Sequence, residues 1–197
     1  SIDAQNIMPI IKKWLYSDKD IFIREVVSNG CDAITKLRMV DSAAAQGCSI
    51  HVEVDKAARE LRFIDDGVGM TEVAFSGAKS FMEEYAKNED KENSGIIGHF
   101  GLGFYSVFMI ADKVTIDTLS FREGATPVRW ESEDGMAFTM TEGTRTARGT
   151  TITLHVSEAE SEFLEVWRVR EVLDRYCSFM SVPIYLEEVK EEKADDA

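Results

Sequence analysis

The sequence runs to 197 residues, 44% apolar and 29% charged, with a net charge of −14. That length suits one sizeable domain with its own core. The charge argues against a broad interface with a nucleic-acid backbone, and no run of eighteen apolar residues exists to span a membrane. Cys31, Cys48 and Cys177 are odd in number and far apart, without CxxC or Cys/His spacing, so three reduced thiols are expected rather than a disulfide framework or structural zinc. Ser1-Ile2-Asp3-Ala4 lacks a Met and the basic and apolar regions of a signal peptide, so the expectation is a trimmed segment of a cytoplasmic chain.

Ile7, Ile10, Ile11, Trp14 and Leu15 predict an amphipathic helix over 6–16. Ser17-Asp18-Lys19-Asp20 has the form of a capping box, with Ser17 as N-cap, opening a second helix over about 18–39. Residues 50–54 and 60–64 read as a β-hairpin, followed by a glycine turn over 65–70. A polar, partly helical segment covers 76–94, and an apolar helix is expected over 104–111. Short β-rich runs then follow at 114–119, 128–131, 137–141 and 150–156, each bounded by Gly, Pro or charge. A helix over 160–179 and an edge strand over 183–187 complete the pattern. Helices before and after a block of hairpin strands predict an α+β fold, a two-layer α/β sandwich with a mostly antiparallel sheet covered on one face by helices. The expected division is one domain over 1–187 and a solvated acidic tail or start of a linker over 188–197.

On the second helix Glu25, Asn29, Asp32 and Lys36 fall in one stripe at i, i+4, i+7 and i+11, opposite Ile23, Val26, Val27, Ile34 and Leu37. A polar stripe is ordinarily a wet face, but Asn29 and Gly30 both weaken a helix interior, and such local violations concentrate at functional sites. The Asn29 carbonyl oxygen can ligate Mg²⁺ beside phosphate oxygens, and Glu25 could take a proton from an attacking water. Asp65-Asp66-Gly67-Val68-Gly69-Met70 is a DxGxG turn that brings backbone close to a ligand, with a carboxylate able to accept from an amino group. Gly98-His99-Phe100-Gly101-Leu102-Gly103 has the form GxxGxG before a helix, a ready anion site through backbone N–H groups. It is neither a dinucleotide fingerprint nor a Walker A loop. Each signal alone is weak; their order along the chain is what counts.

Taken together, Glu25-x-x-x-Asn29-x-x-Asp32-Ala33, Asp65-x-Gly67-x-Gly69-Met70, Gly98-x-x-Gly101-x-Gly103-Phe104 and Gly149-Thr150 resemble the ATPase superfamily of gyrase, histidine kinases, mismatch-repair proteins and the ninety-kilodalton heat-shock chaperones. The stretches LYSDKDIFIREVVSNGCDA, IIGHFGLGFYSVFMIADKV and RGTTITLH are similar to the N-terminal domain of a bacterial heat shock protein 90 over nearly the whole chain. The resemblance implies a Bergerat-type fold, ATP or ADP as ligand with Mg²⁺, and a role in protein folding. Asp65 would bind the adenine amino group, Thr150 assisting through water, with Gly69 at the turn and Met70 and Phe104 along adenine and sugar. Asn29 would complete Mg²⁺ coordination, Gly98, Phe100, Gly101, Leu102 and Gly103 would sit at the phosphates, Asp32 and Ala33 would border the pocket, and Glu25 would deprotonate the attacking water. Residues 76–103 would form a lid. Client proteins and a homodimer are implied for the full-length protein, with the fragment a monomer and its hydrolysis weak. No nucleic acid or membrane partner is expected. The alternatives are a nucleotide-binding switch with negligible turnover and a DNA-repair or topoisomerase-type ATPase.

Three departures stand out. The connection from Met70 to Gly77 is several residues shorter than the family pattern, Phe75 stands where many relatives place a Lys near the ligand, and the family's N-terminal strand, middle domain and dimerisation domain lie outside the sequence. His51 and His155 read as packed or surface residues, His99 as a polar residue inside the glycine motif where the resemblance tolerates others, Trp14, Trp130 and Trp167 as core-spaced without a stacking pattern, and Arg145 and Arg148 as a surface cation pair without a role.

Overall fold

The computed structural model describes residues 19–72, 74–75 and 102–190, with only the backbone of Leu102. The helix expected over 6–16, Ser17, the segment over 76–94, most of the lid with Gly98, His99, Phe100 and Gly101, and the end of the acidic tail lie outside these residues.

Helix α1 spans Ile21–Val40 and buries Phe22, Ile23, Val26, Val27, Ile34 and Leu37. These residues recur every three or four positions, which makes one apolar stripe that must pack on something. The capping box differs from expectation. Asp20 stands at the N-cap position, where its carboxylate turns to Arg168 (Nη2 3.4 Å) and to the Tyr176 hydroxyl (3.5 Å). A buried carboxylate is held better by a guanidinium than by a helix terminus alone.

The strands are β1 (Ile50–Asp55), β2 (Glu60–Asp65), β3 (Ala111–Leu119), β4 (Val128–Ser132), β5 (Phe138–Glu142), β6 (Gly149–Val156) and β7 (Ile184–Glu188). They form one sheet in the order β5-β4-β3-β6-β2-β1-β7. Every pair is antiparallel except the edge strand β7, which runs parallel to β1. The expected mostly antiparallel sheet with an edge strand near the end of the sequence is therefore present, and the parallel pairing of β7 makes it mixed. Alternation decides the faces. In β1 and β2, Ile50, Val52, Val54, Leu61, Phe63 and Asp65 are buried, while His51, Glu53, Arg62 and Ile64 are half-buried on the other face.

Two helical segments depart from their predicted form. The stretch before β3 is a 3₁₀ helix over Leu102–Met109, and Ala111 already belongs to β3. The helix expected over 160–179 is broken at Glu165, which is extended (φ −99°, ψ 120°). A 3₁₀ helix over Glu158–Leu164 precedes the break, and α2 (Val166–Tyr176) follows it. Phe163 and Leu164 are buried at the end of the first piece, with Phe163 edge-on to Phe22 at 5.0 Å. Burying an aromatic ring contributes about 2–3 kcal/mol, enough to fix the kink against the helical tendency of the run. Trp130 is buried, as expected, but Trp167 is 63% exposed on the outer side of α2. No helix among the described residues is long and apolar enough to cross a membrane.

Candidate nucleotide site

The register of the central strands places the site. On the helix-facing side, Leu61, Leu154 and Val114 form one row across β2, β6 and β3, and Phe63, Ile152 and Ile116 form the next. The following row is Asp65, Thr150 and Thr118. All three are buried. An apolar face thus ends in a polar row, directly beside α1. A cleft lies above it, enclosing about 430 Å³ with the solvent at its mouth included. Asn29, Gly30, Asp32, Ala33 and Lys36 supply the α1 wall; Asp65, Val68, Gly69, Met70, Thr150 and Ile152 supply the rest. Its mixed apolar and polar lining suits a small-molecule ligand.

The polar row is closed by hydrogen bonds. The Thr118 hydroxyl lies 2.8 Å from the Thr150 hydroxyl and 3.2 Å from the Gly149 carbonyl, and it accepts from the Met70 N–H at 2.9 Å. Asp65 Oδ1 accepts from the Gly67 N–H at 2.9 Å. The glycine turn is tied on both sides, with Val68 N–H donating to the Ala33 carbonyl of α1 (3.1 Å) and Phe121 N–H donating to the Val68 carbonyl (2.8 Å). Gly69 has φ +66°, and a Cβ there would lie 2.0 Å from the Leu119 carbonyl oxygen, so only glycine fits. Gly30, read as a weak point in the helix, has a packing reason. A Cβ there would meet Ile50 Cδ1 at 3.0 Å, so its absence lets α1 approach the sheet.

Asp65 is only 8% exposed, and burial pushes its carboxyl up to about 7. The Gly67 N–H and the Arg145 guanidinium pull it back down, while Asp66 adds to the rise. A carboxyl group perturbed by burial in a cleft is a candidate functional position. Burial likewise pushes the neighbouring Cys31 thiol up to about 11, which keeps it protonated and inert, and all three cysteines are free and buried.

Glu25 lies outside the cleft wall, two helical turns before Asp32. Its Oε1 accepts from Arg24 Nη2 at 3.1 Å, and its other oxygen sits under Gly103, where a Cβ would come within 2.3 Å of Oε2. The two ends of the site are therefore spaced along α1, Asp32 and Ala33 at the glycine turn and Glu25 at the start of the 3₁₀ helix, roughly 12 Å apart at 1.5 Å per residue. Phe104 is 2% exposed and belongs to the core, packed edge-on to Tyr105, rather than to the cleft wall formed by the described residues. Phe75 also turns inward and stacks on Trp130 at 6.0 Å. Among the described residues no three His, Cys, Asp or Glu side chains gather as a metal cage.

Two parts of the site were not legible in the sequence. Thr118 was read only as part of a strand, since its pairing with Thr150 is a matter of register. Arg145 and Arg148, expected as a surface cation pair, are instead half-buried braces of the loop before β6. Arg148 Nε donates to the Asp66 carbonyl (3.0 Å), and Arg145 Nη2 donates to the Arg148 carbonyl (3.0 Å). Loop carbonyls that face inward need donors, and the two guanidinium groups supply them.

Residues 20–134 match the family of histidine kinase-, DNA gyrase B-, and HSP90-like ATPases. The chain belongs to this family. The seven-stranded sheet with α1 packed on it is consistent with the Bergerat fold of that family. Among curated proteins, the chain is 43% identical over 197 residues to the chaperone protein HtpG of Porphyromonas gingivalis, a match covering 93% of this chain and 28% of that protein. It is 42% identical over 206 residues to HtpG of Bacteroides fragilis (98% and 29%) and 38% identical over 198 residues to HtpG of Cupriavidus taiwanensis (92% and 31%). The chain thus spans about three tenths of the length of the curated relatives it matches.

Proposed function

We propose that this domain binds Mg-ATP with its adenine on Asp65, hydrolyses it with Glu25 as general base, and serves as the ATP-driven part of a cytoplasmic chaperone acting on client proteins. The observation that carries the reading is the buried row of Asp65, Thr150 and Thr118 at the floor of the cleft. A carboxylate with a hydroxyl beside it suits an exocyclic amine and its bridging water, because a charged acceptor makes the stronger bond. Met70 and the glycine turn offer the apolar wall for the base. Asp32 and Ala33 border it. Asn29, in the α1 wall of the cleft, would offer one oxygen to Mg²⁺, which takes one or two protein oxygens and fills its shell with phosphate and water. When bound there, the ion neutralises charge on the phosphates. The phosphates are assigned to the GxxGxG segment, with Gly98, Phe100, Gly101, Leu102 and Gly103 as the candidate amide donors, and Phe104 is buried in the core near the start of the 3₁₀ helix. The full-length protein works as a homodimer.

Calorimetry with ADP and ATP, paired with phosphate release by the full-length protein, tests this. Glu25→Ala is expected to keep ATP affinity within about twofold and to lower turnover by roughly a hundredfold or more. Unchanged turnover overturns the general-base role and leaves a nucleotide-binding switch.

A further inference from the structure

Arg145 lies in the segment that returns the chain from β5 to β6. That segment must deliver Gly149 and Thr150 alongside Asp65. Its backbone is caught on the opposite face of the sheet by Asp117, whose carboxylate accepts from the Thr144 N–H (3.0 Å), the Thr144 hydroxyl (2.6 Å) and the Arg145 N–H (3.3 Å). The Arg145 side chain then uses all three of its nitrogens. Nε donates to the Ala147 carbonyl (3.1 Å), Nη1 to the Thr151 hydroxyl (2.7 Å) and Nη2 to the Arg148 carbonyl (3.0 Å). A guanidinium held at three points is a fixed charge rather than a mobile surface one. Its location is set by Gly149, which has φ +129°. A Cβ at Gly149 would lie 2.1 Å from the main-chain carbonyl oxygen of Asp65 and 2.8 Å from Arg145 Nη2, so the Asp65 backbone and the guanidinium flank the same glycine.

We propose that Arg145 is a positioning residue for nucleotide binding: it braces the loop that sets Thr150 beside Asp65, and it holds a fixed positive charge next to the strand end that carries Asp65. The proposal rests on the reading of Asp65 as the adenine acceptor. The charge matters because Asp65 is buried, and Arg145 with the Gly67 N–H opposes the effect of that burial. The other groups that face Asp65 do not replace it. Asp66 is a like charge, Cys31 of α1 is a neutral thiol, and Asp32 of α1 is acidic. Lys36 lies on the exposed rim of the cleft, and Arg148 is engaged with the Asp66 carbonyl. Thr150 and Thr118, from β6 and β3, do not titrate in this range.

The test compares wild type, Arg145→Gln, Arg145→Lys and the milder Thr151→Val, which releases one anchor of the guanidinium. Two quantities are read: the Asp65 carboxyl midpoint by ¹³C NMR without nucleotide, and ADP affinity by calorimetry from pH 6 to 9. Arg145→Gln is expected to raise the Asp65 midpoint by about one pH unit. ADP affinity then falls about fivefold at pH 7, because the ionised fraction drops from about half to about a tenth, and recovers towards pH 9. Arg145→Lys returns the midpoint towards wild type, and Thr151→Val gives a smaller rise. An unchanged midpoint in Arg145→Gln, or in Thr151→Val should the former not fold, overturns the proposal, as does an affinity loss equal at every pH. Wild-type protein that binds no ADP refutes the adenine reading alone, since the midpoint in nucleotide-free protein still decides the role of Arg145.

Discussion

Replacing Asp65 by Asn should strengthen the fold while abolishing nucleotide binding. In the folded protein the Asp65 carboxyl is pushed up to about 7 from an ordinary 3.8. The folded state therefore holds this proton more tightly than the unfolded chain does. Below about pH 4 both states are protonated and the residue makes no difference. As pH rises from about 4 to about 7 the unfolded chain ionises first, so stability falls; above 7 the whole penalty is in place, on the order of 4 kcal/mol for a shift of about three units. About 2 kcal/mol of it develops between pH 5.5 and 8.5. An Asn does not titrate, yet its oxygen can still accept the Gly67 N–H that Asp65 accepts at 2.9 Å. The stability advantage of Asp65→Asn over wild type should thus grow by about 2 kcal/mol across that range. Urea unfolding followed by circular dichroism at several pH values measures it, and calorimetry with ADP measures the lost binding. A stability difference that stays flat with pH refutes the account of Asp65 as a carboxylate held against its burial, and unchanged ADP affinity refutes its role towards adenine.

Gly69→Ala should lower stability by on the order of 3 kcal/mol in thermal or urea unfolding, because its Cβ would meet main chain at 2.0 Å and no side chain can give way. Thr118→Val removes the hydroxyl that serves Met70, Gly149 and Thr150, so a loss of about 1–3 kcal/mol is expected along with weaker ADP binding, and Thr118→Ser should restore both. Gly103→Ala should displace the Glu25 carboxylate, because its Cβ would come within 2.3 Å of Oε2, and cut ATP turnover about tenfold or more in a phosphate-release assay.

Most strands were legible because they alternate cleanly. In Ile50-His51-Val52-Glu53-Val54-Asp55 every second residue is buried, and the same holds for β2 and most of β6. Their order was not legible. β6 sits between β3 and β2, its partners some forty and ninety positions away in sequence. Nothing in the local pattern of either strand names the other. The break at Glu165 was hidden for a similar reason. The run reads as helix, and the kink is imposed by Phe163 meeting Phe22, from the far side of the chain. Asp20 follows the same logic, since its local environment says N-cap and its tertiary one offers Arg168.

The site divides along the same line. Glu25, Asn29, Asp32 and the glycine turn carry their signals within a few residues, in helix periodicity and in turn chemistry. Thr118 and Arg145 act only through cross-strand register and a loop brace. Yet one clue lies in the parity of the strands. Leu61, Phe63 and Asp65 share a face, as do Leu154, Ile152 and Thr150, and Val114, Ile116 and Thr118. In each series two apolar residues are followed by a polar one at the same strand end. Any one such ending is an ordinary strand terminus. Three of them brought into one row under a helix cannot be explained by stability, because an apolar row would bury the same area without a carboxylate to desolvate. The cost of Asp65 and the location of the cleft are thus one fact, and the pH dependence of Asp65→Asn measures it directly.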